Sequence, residues 1–148
     1  MNKDNPGNIL KDVIATAKDG ERGFREAAEH FKSADLKSMA LRVSAERAQF
    51  ARELEPELHS VGKTDRPEGT TEGSLHRAWV KIETALGGGD HTILAWLEQG
   101  EDHAKKVYGE ALHGSLPSAA DMIVRRQNDR IIATHDEVRR LRDQSKAA

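Results

Sequence analysis

Four long stretches of this 148-residue chain place apolar residues at alternating three- and four-residue steps, a pattern that only amphipathic helices bury efficiently. The first predicted helix runs from about Asn8 to Lys32, with Leu10, Val13, Ile14, Ala17, Phe24, Ala27, Ala28 and Phe31 on one stripe. Ser33, Ala34 and Asp35 form a short capping turn, and Leu36, Met39, Val43, Phe50, Leu54 and Leu58 carry a second helix to about His59. Pro56 has no backbone donor and its ring meets the carbonyl one turn back, which predicts a kink or an early end there. Asp90 is placed to cap a third helix through Ile93, Leu97, Ala104, Val107, Tyr108 and Ala111. Gly114, Ser115, Leu116 and Pro117 then turn the chain into a fourth helix striped by Ala120, Val124, Ile131, Val138 and Leu141.

The connections differ in length, and the difference predicts topology. Residues 62–73, GKTDRPEGTTEG, show no apolar period and read as a surface linker. A short helix over 74–86 follows, with Leu75, Trp79, Ile82 and Leu86 on one face, and Gly87, Gly88 and Gly89 end it. Trp79 and Trp96 are expected to seal this extra helix onto the third long one. A helix of about 24 residues is roughly 36 Å long, so antiparallel neighbours need only a short turn, whereas a chain returning along the bundle needs a long crossover. One such crossover between helices two and three predicts an all-α, ferritin-like, up-down-down-up four-helix bundle, formed as a single domain over residues 1–148.

Composition narrows the chemistry. No cysteine is present, so thiolate-bound zinc, iron–sulfur clusters, disulfides and a cysteine nucleophile are excluded. Formal net charge is −2 with the basic residues dispersed, which argues against a nucleic-acid footprint. Arg125, Arg126, Arg139, Arg140 and Arg142 read as solvated helix surface. The amino terminus lacks the apolar run of a signal peptide and no stretch is long enough to span a bilayer, so a cytoplasmic location without membrane attachment is expected. There is no Gly-rich phosphate loop, Ser-His-Asp set or dinucleotide fingerprint.

The informative residues are acids inside the apolar stripes. Glu21 falls between Ala17 and Phe24, Glu46 between Val43 and Phe50, and Glu101 between Leu97 and Ala104, each near its helix midpoint. All three are expected to point inward into one layer. Buried carboxylates need compensation by a metal, protons or donors. One divalent cation, Fe, Mn or Zn, is one solution. Arginine is the other, since its planar fork matches a carboxylate and Arg130, with Arg47, is near the same level.

Through DGERGFREAAEHF (19–31), ERAQFARELEPEL (46–58), LHRAWVKIETALGGGDHTIL (75–94), EQGEDHAKKVYGEAL (98–112) and the run from Arg126-Gln127 to Asp143, the chain resembles a bacterial family of uncharacterised ferritin-like proteins. Di-iron carboxylate bundles carry one Glu on each of two helices and Glu-x-x-His on each of the other two. By that resemblance Glu21 and Glu101 take the lone-glutamate positions, Glu46 opens an incomplete motif ending at Gln49, and Gln127 and Arg130 replace the Glu and His of the fourth helix. The resemblance thus implies at most one metal, held by Glu21, Glu46, Gln49, Glu101 and Gln127. His135, on the inner edge of the fourth stripe, reads as a hydrogen-bonded histidine.

Two functions follow from these residues. The first is a metal-binding bundle concerned with iron or oxidative stress, and the second is a metal-free, non-catalytic scaffold or interaction protein with a charge-paired polar core, able to dimerise through leftover apolar stripe.

Overall fold

The computed structural model describes residues 5–62 and 89–146, and every regular element within them is helical. Helix α1 spans Pro6–His30, α2 Ala34–Ser60, α3 Asp90–Leu112 and α4 Ser118–Lys146. The short helix expected over 74–86, with Trp79, and the linker beyond Gly62 lie outside the described residues.

Each boundary has a local cause. α1 begins two residues before the expected Asn8, because Pro6 supplies a preset φ at the first helical position and the Asn5 side chain accepts from the Asn8 N–H at 3.1 Å. Ser33 caps α2 through its Oγ, 3.2 Å from the Leu36 nitrogen. α2 does not end early at Pro56, one of the two outcomes expected there. This proline sits in the helix's final turns, only the carbonyl of exposed Arg52 loses its donor, and Ser60 Oγ closes the last turn by donating to the Pro56 carbonyl at 2.9 Å. Gly62, at φ 85°, supplies the left-handed residue that stops the helix.

Asp90 also departs from its expected role. It is the first residue of α3, and the cap position belongs to Gly89, whose hydrogen side chain makes no cap bond. The Asp90 carboxylate instead accepts from the backbone N–H groups of Lys32 and Ser33, at 2.8 and 3.1 Å. It therefore ties the start of α3 to the turn between α1 and α2. At the same end His91 Nδ1 lies 2.9 Å from Ser145 Oγ and 3.1 Å from the Arg142 carbonyl, joining α3 to the last turn of α4.

In the bundle α1 packs on α2 and α3, and α4 packs on α3 and α2. Among the described residues the apolar interior divides into two clusters. One gathers Ile9 to Ala17, Phe50 to Leu58, Ala104 to Ala111 and Ala120 to Ile131; the other gathers Phe24 to Phe31, Met39 to Val43, Ile93 to Leu97, and Val138. Between them each helix contributes polar or minimal side chains: Gly20 and Glu21, Ser44 and Arg47, Glu101, and Thr134 with His135. None of the described helices is long and apolar enough to cross a membrane.

Candidate functional site

The layer between the clusters is the site the sequence anticipates, but its occupants differ. Arg47, 1% exposed, reaches across the bundle from α2 to α3 and grips Glu101, 2% exposed. Its Nη1 donates to Glu101 Oε1 at 2.7 Å and its Nη2 to Oε2 at 2.5 Å, a bidentate fork in the geometry that makes charge-assisted pairs strongest. The guanidinium carbon lies 5.6 Å from the Phe24 ring centre and 5.9 Å from that of Phe50, so two aromatic rings add cation–π stabilisation. Arg47 Nε is buried without a hydrogen-bond partner.

Gly20 makes this possible. A Cβ there would sit 3.0 Å from Arg47 Nη1 and 3.2 Å from its Cγ. The α1 stripe can be drawn through Glu21 or through Gly20, and the helix turns Gly20 inward, because only a residue without a side chain leaves room for the guanidinium.

Of the other expected residues, only Gln127 is inside. Glu21 is half-buried on α1, with Oε2 3.7 Å from Arg25, and its backbone carbonyl accepts from Ser44 Oγ at 2.8 Å. Glu46 lies at the junction of α2 and α4, where Oε2 accepts from Arg130 Nε at 3.3 Å and Oε1 is buried without a partner. Gln49 is exposed and accepts from Arg52 on its own helix, at 2.8 and 3.2 Å. Gln127 is buried one level away, accepting from the Tyr108 hydroxyl at 2.7 Å and donating to the Phe50 carbonyl at 3.2 Å and to Glu53 at 3.1 Å. Burial, with Glu101 and Glu53 nearby and Arg47 opposing, pushes the Tyr108 hydroxyl above the ordinary phenol range, so it donates this bond throughout the neutral pH range. Arg130, 47% exposed, is the partner of Glu46 on the surface junction, and Arg47 is the cation of the buried layer.

Sequence reasoning missed the centrality of Arg47, although a signal exists. Met39, Val43, Arg47, Phe50, Leu54 and Leu58 run at four- and three-residue steps, the same period that brought Glu46 into consideration. Periodicity permits either register. Charge decides, because Glu101 inside the core requires a cation beside it.

Among the described residues, the carboxylate and histidine groups whose donor atoms lie within 4.8 Å of one another are Glu98–Asp102–His135 and Glu26–Glu29–His30. In the first, His135 is buried with Nε2 2.7 Å from Asp102 and Nδ1 3.1 Å from Asp136, and Arg142 Nη1 donates to Glu98. His135 is thus a hydrogen-bonded histidine, as its place in the stripe suggested, and its bond to Asp102 also links α4 to α3. Its bond holds the Asp136 carboxyl below the usual carboxylate range. The second set is a partly exposed surface group on one helix.

A cavity of about 330 Å³ opens between α1 and α3 against the ion pair, with Gly20, Gly23 and Phe24 on one side, Trp96, Leu97 and Gly100 on the other. Residues 5–114 match a family model described as a domain of unknown function (DUF2383). No curated protein matches the chain. The matched span holds both members of the ion pair and both helices that bound the cavity, whereas Gln127, Arg130 and His135 lie beyond it.

Proposed function

The chain belongs to the DUF2383 family of domains of unknown function, and we propose that it is a non-catalytic helical scaffold or interaction protein organised around a charge-paired core. The Arg47–Glu101 fork carries this reading. It occupies the mid-bundle layer that a carboxylate metal centre would need, uses both oxygens of the innermost glutamate, and compensates that glutamate's charge with a buried guanidinium. Glu46 and Glu21 are turned toward arginines at the surface.

The ferritin-like, up-down-down-up arrangement is part of the same proposal. Its support is the packing order, with α1 against α3 and α2 against α4. Asp90 at the start of α3 meets the α1–α2 turn, and His91 meets the end of α4. The span between α2 and α3 is also long enough to return along the bundle.

A second reading keeps a metal. The convergence of Glu98, Asp102 and His135 favours a single divalent ion such as Zn at the α3–α4 surface, in place of one bound by Glu21, Glu46, Gln49, Glu101 and Gln127. Elemental analysis of untagged protein, with Fe, Mn and Zn titration, separates these. The charge-paired reading expects no stoichiometric metal. An equivalent of metal lost in Glu101→Gln would overturn it, and one lost in His135→Ala would establish the second reading.

A further inference from the structure

The outward ridge of α4 carries its charges in an order that matches its own reversal. Arg125, Asp129, Ala133, Asp136, Arg140 and Asp143 recur at three- and four-residue steps along the exposed face, opposite the buried Val124, Ile131 and Val138. Three of these charges are engaged within the helix: Arg125 with Asp121 at 2.7 Å, Asp136 with His135 at 3.1 Å, and Asp143 with Arg142 at 3.0 Å. Asp129 and Arg140 have no such partner among the described residues, and they stand eleven residues, or about three turns, apart on one line of the helix. Two of the three exposed large apolar side chains among the described residues, Met122 at 71% and Ile132 at 37%, also belong to α4.

We propose that this ridge is the contact of a two-fold homodimer, in which α4 packs antiparallel on α4 of a second copy and Asp129 faces that copy's Arg140. A dyad at the level of residues 134 and 135 sets the register. It brings position 125 level with 143 and 144, 129 with 140, and 133 with 136, so along the ridge each acid meets an arginine or an alanine and no like charges oppose. A parallel pairing about a two-fold axis would set every charge against its like, which is costly, so the charge order selects the antiparallel contact. Ala133 beside the axis lets the two backbones approach, and Ile132 next to it supplies apolar surface where the helices cross. The alternation also chooses the occupant. Two arginines among three aspartates offer no block of one sign to a polyanion or a polycation, whereas the reversed ridge fits position by position. A dimer of this kind deepens the reading of the chain as an interaction protein, on which it rests, by making its partner a second copy. Its failure would leave the charge-paired core in place, because metal analysis and unfolding read that core separately.

Sedimentation equilibrium of the full chain, followed up to about 1 mM to cover weak association, reads the dimer directly. The contact is one helix pair, so a weak dimer is expected, loosened further in molar salt. Asp129→Arg and Arg140→Asp are each expected to lower the dimerisation constant at least about tenfold, because each turns two attractive pairs per dimer into two repulsive ones. Both side chains are exposed, so the far-ultraviolet spectrum of each variant should stay helical. The decisive sample is the two variants mixed in equal amounts. Arginine at 129 and 140 of one chain then faces aspartate at 140 and 129 of the other, and association is expected to return as a heterodimer. A chain that stays monomeric over the whole concentration range, a dimer that neither reversal weakens, or variants that fail to associate on mixing would each overturn the proposal.

Discussion

The two lateral seams of the bundle solve the same packing problem in opposite ways. Between α1 and α3, glycines at 20, 23 and 100 remove side chains, and the gap is walled by aromatic and aliphatic groups over a buried ion pair. Between α2 and α4, long charged side chains bridge the space: Arg126 to Glu53 at 2.5 Å, Arg130 to Glu46 at 3.3 Å, and Arg42 to Glu137 at 4.0 Å. The first seam lies over a desolvated pair, where removal of a partner is costly; the second carries partly exposed pairs, each of which water can replace. Charge count is therefore a poor guide to which seam holds the fold together.

The largest effect should come from Arg47→Met, which strands Glu101 in the core and is expected to cost about 3–5 kcal/mol in urea unfolding. The double variant Arg47→Met/Glu101→Leu should regain most of that loss, because a well-packed apolar pair replaces a buried ionic one at little cost. A double variant no better than the single would break the comparison, since the pair would then not be the unit that matters.

Next in size is Tyr108→Phe. It leaves the buried Gln127 oxygen without its donor and should cost about 1–3 kcal/mol near neutral pH. The variant also tests the pH limb. The folded-state pKa of Tyr108 is raised above its ordinary value of 10.0, so the unfolded chain releases this proton first, and the native protein loses stability as pH rises through and beyond that value. Thermal midpoints between neutral and alkaline pH should fall less steeply in the phenylalanine variant.

Alanine at the cavity glycines should then separate two uses of a missing side chain. Gly20→Ala places a methyl 3.0 Å from Arg47 Nη1, and the fork to Glu101 restrains that side chain from moving aside. Overpacking of about 1–3 kcal/mol is expected to exceed the helix-propensity gain of about 1 kcal/mol. Gly100→Ala meets nothing within 4 Å and should stabilise the protein by up to about 1 kcal/mol. Equal effects in the two would show that Arg47 yields more freely than its pairing implies.

The smallest effect sharpens the other side. Arg130→Met removes a cation from the surface seam, where the arginine is 47% exposed, and should cost no more than about 1 kcal/mol, a loss that shrinks further in molar salt. The sequence alone had made Arg130 a principal neutraliser of the core. A loss comparable to that of Arg47→Met would restore it to that role.

Much of the architecture was legible from periodicity, because burying an apolar stripe is a local demand on the chain. The four helices, the level of the polar layer, and the inward position of Glu101 all follow from spacing, whereas the inward position of Gln127 was implied only by the family resemblance. Spacing could not choose between Glu21 and Gly20 on α1, or between Glu46 and Arg47 on α2. In each pair the two residues sit next to one another in sequence and fit the stripe about equally well. Asp90 was ambiguous for a similar reason, since nothing in its neighbours reveals that its carboxylate serves the N–H groups of Lys32 and Ser33.

What the sequence by itself determined was that this chain forms amphipathic helices with acidic residues at mid-length, since side-chain period and helix propensity act within each segment. Only the tertiary structure decided what meets those acids. Packing α2 across from α3 brings a guanidinium to Glu101 at hydrogen-bonding distance, and Gly20 on a third helix gives it room. Compensating a buried charge depends on groups distant in sequence, so no single segment could specify it.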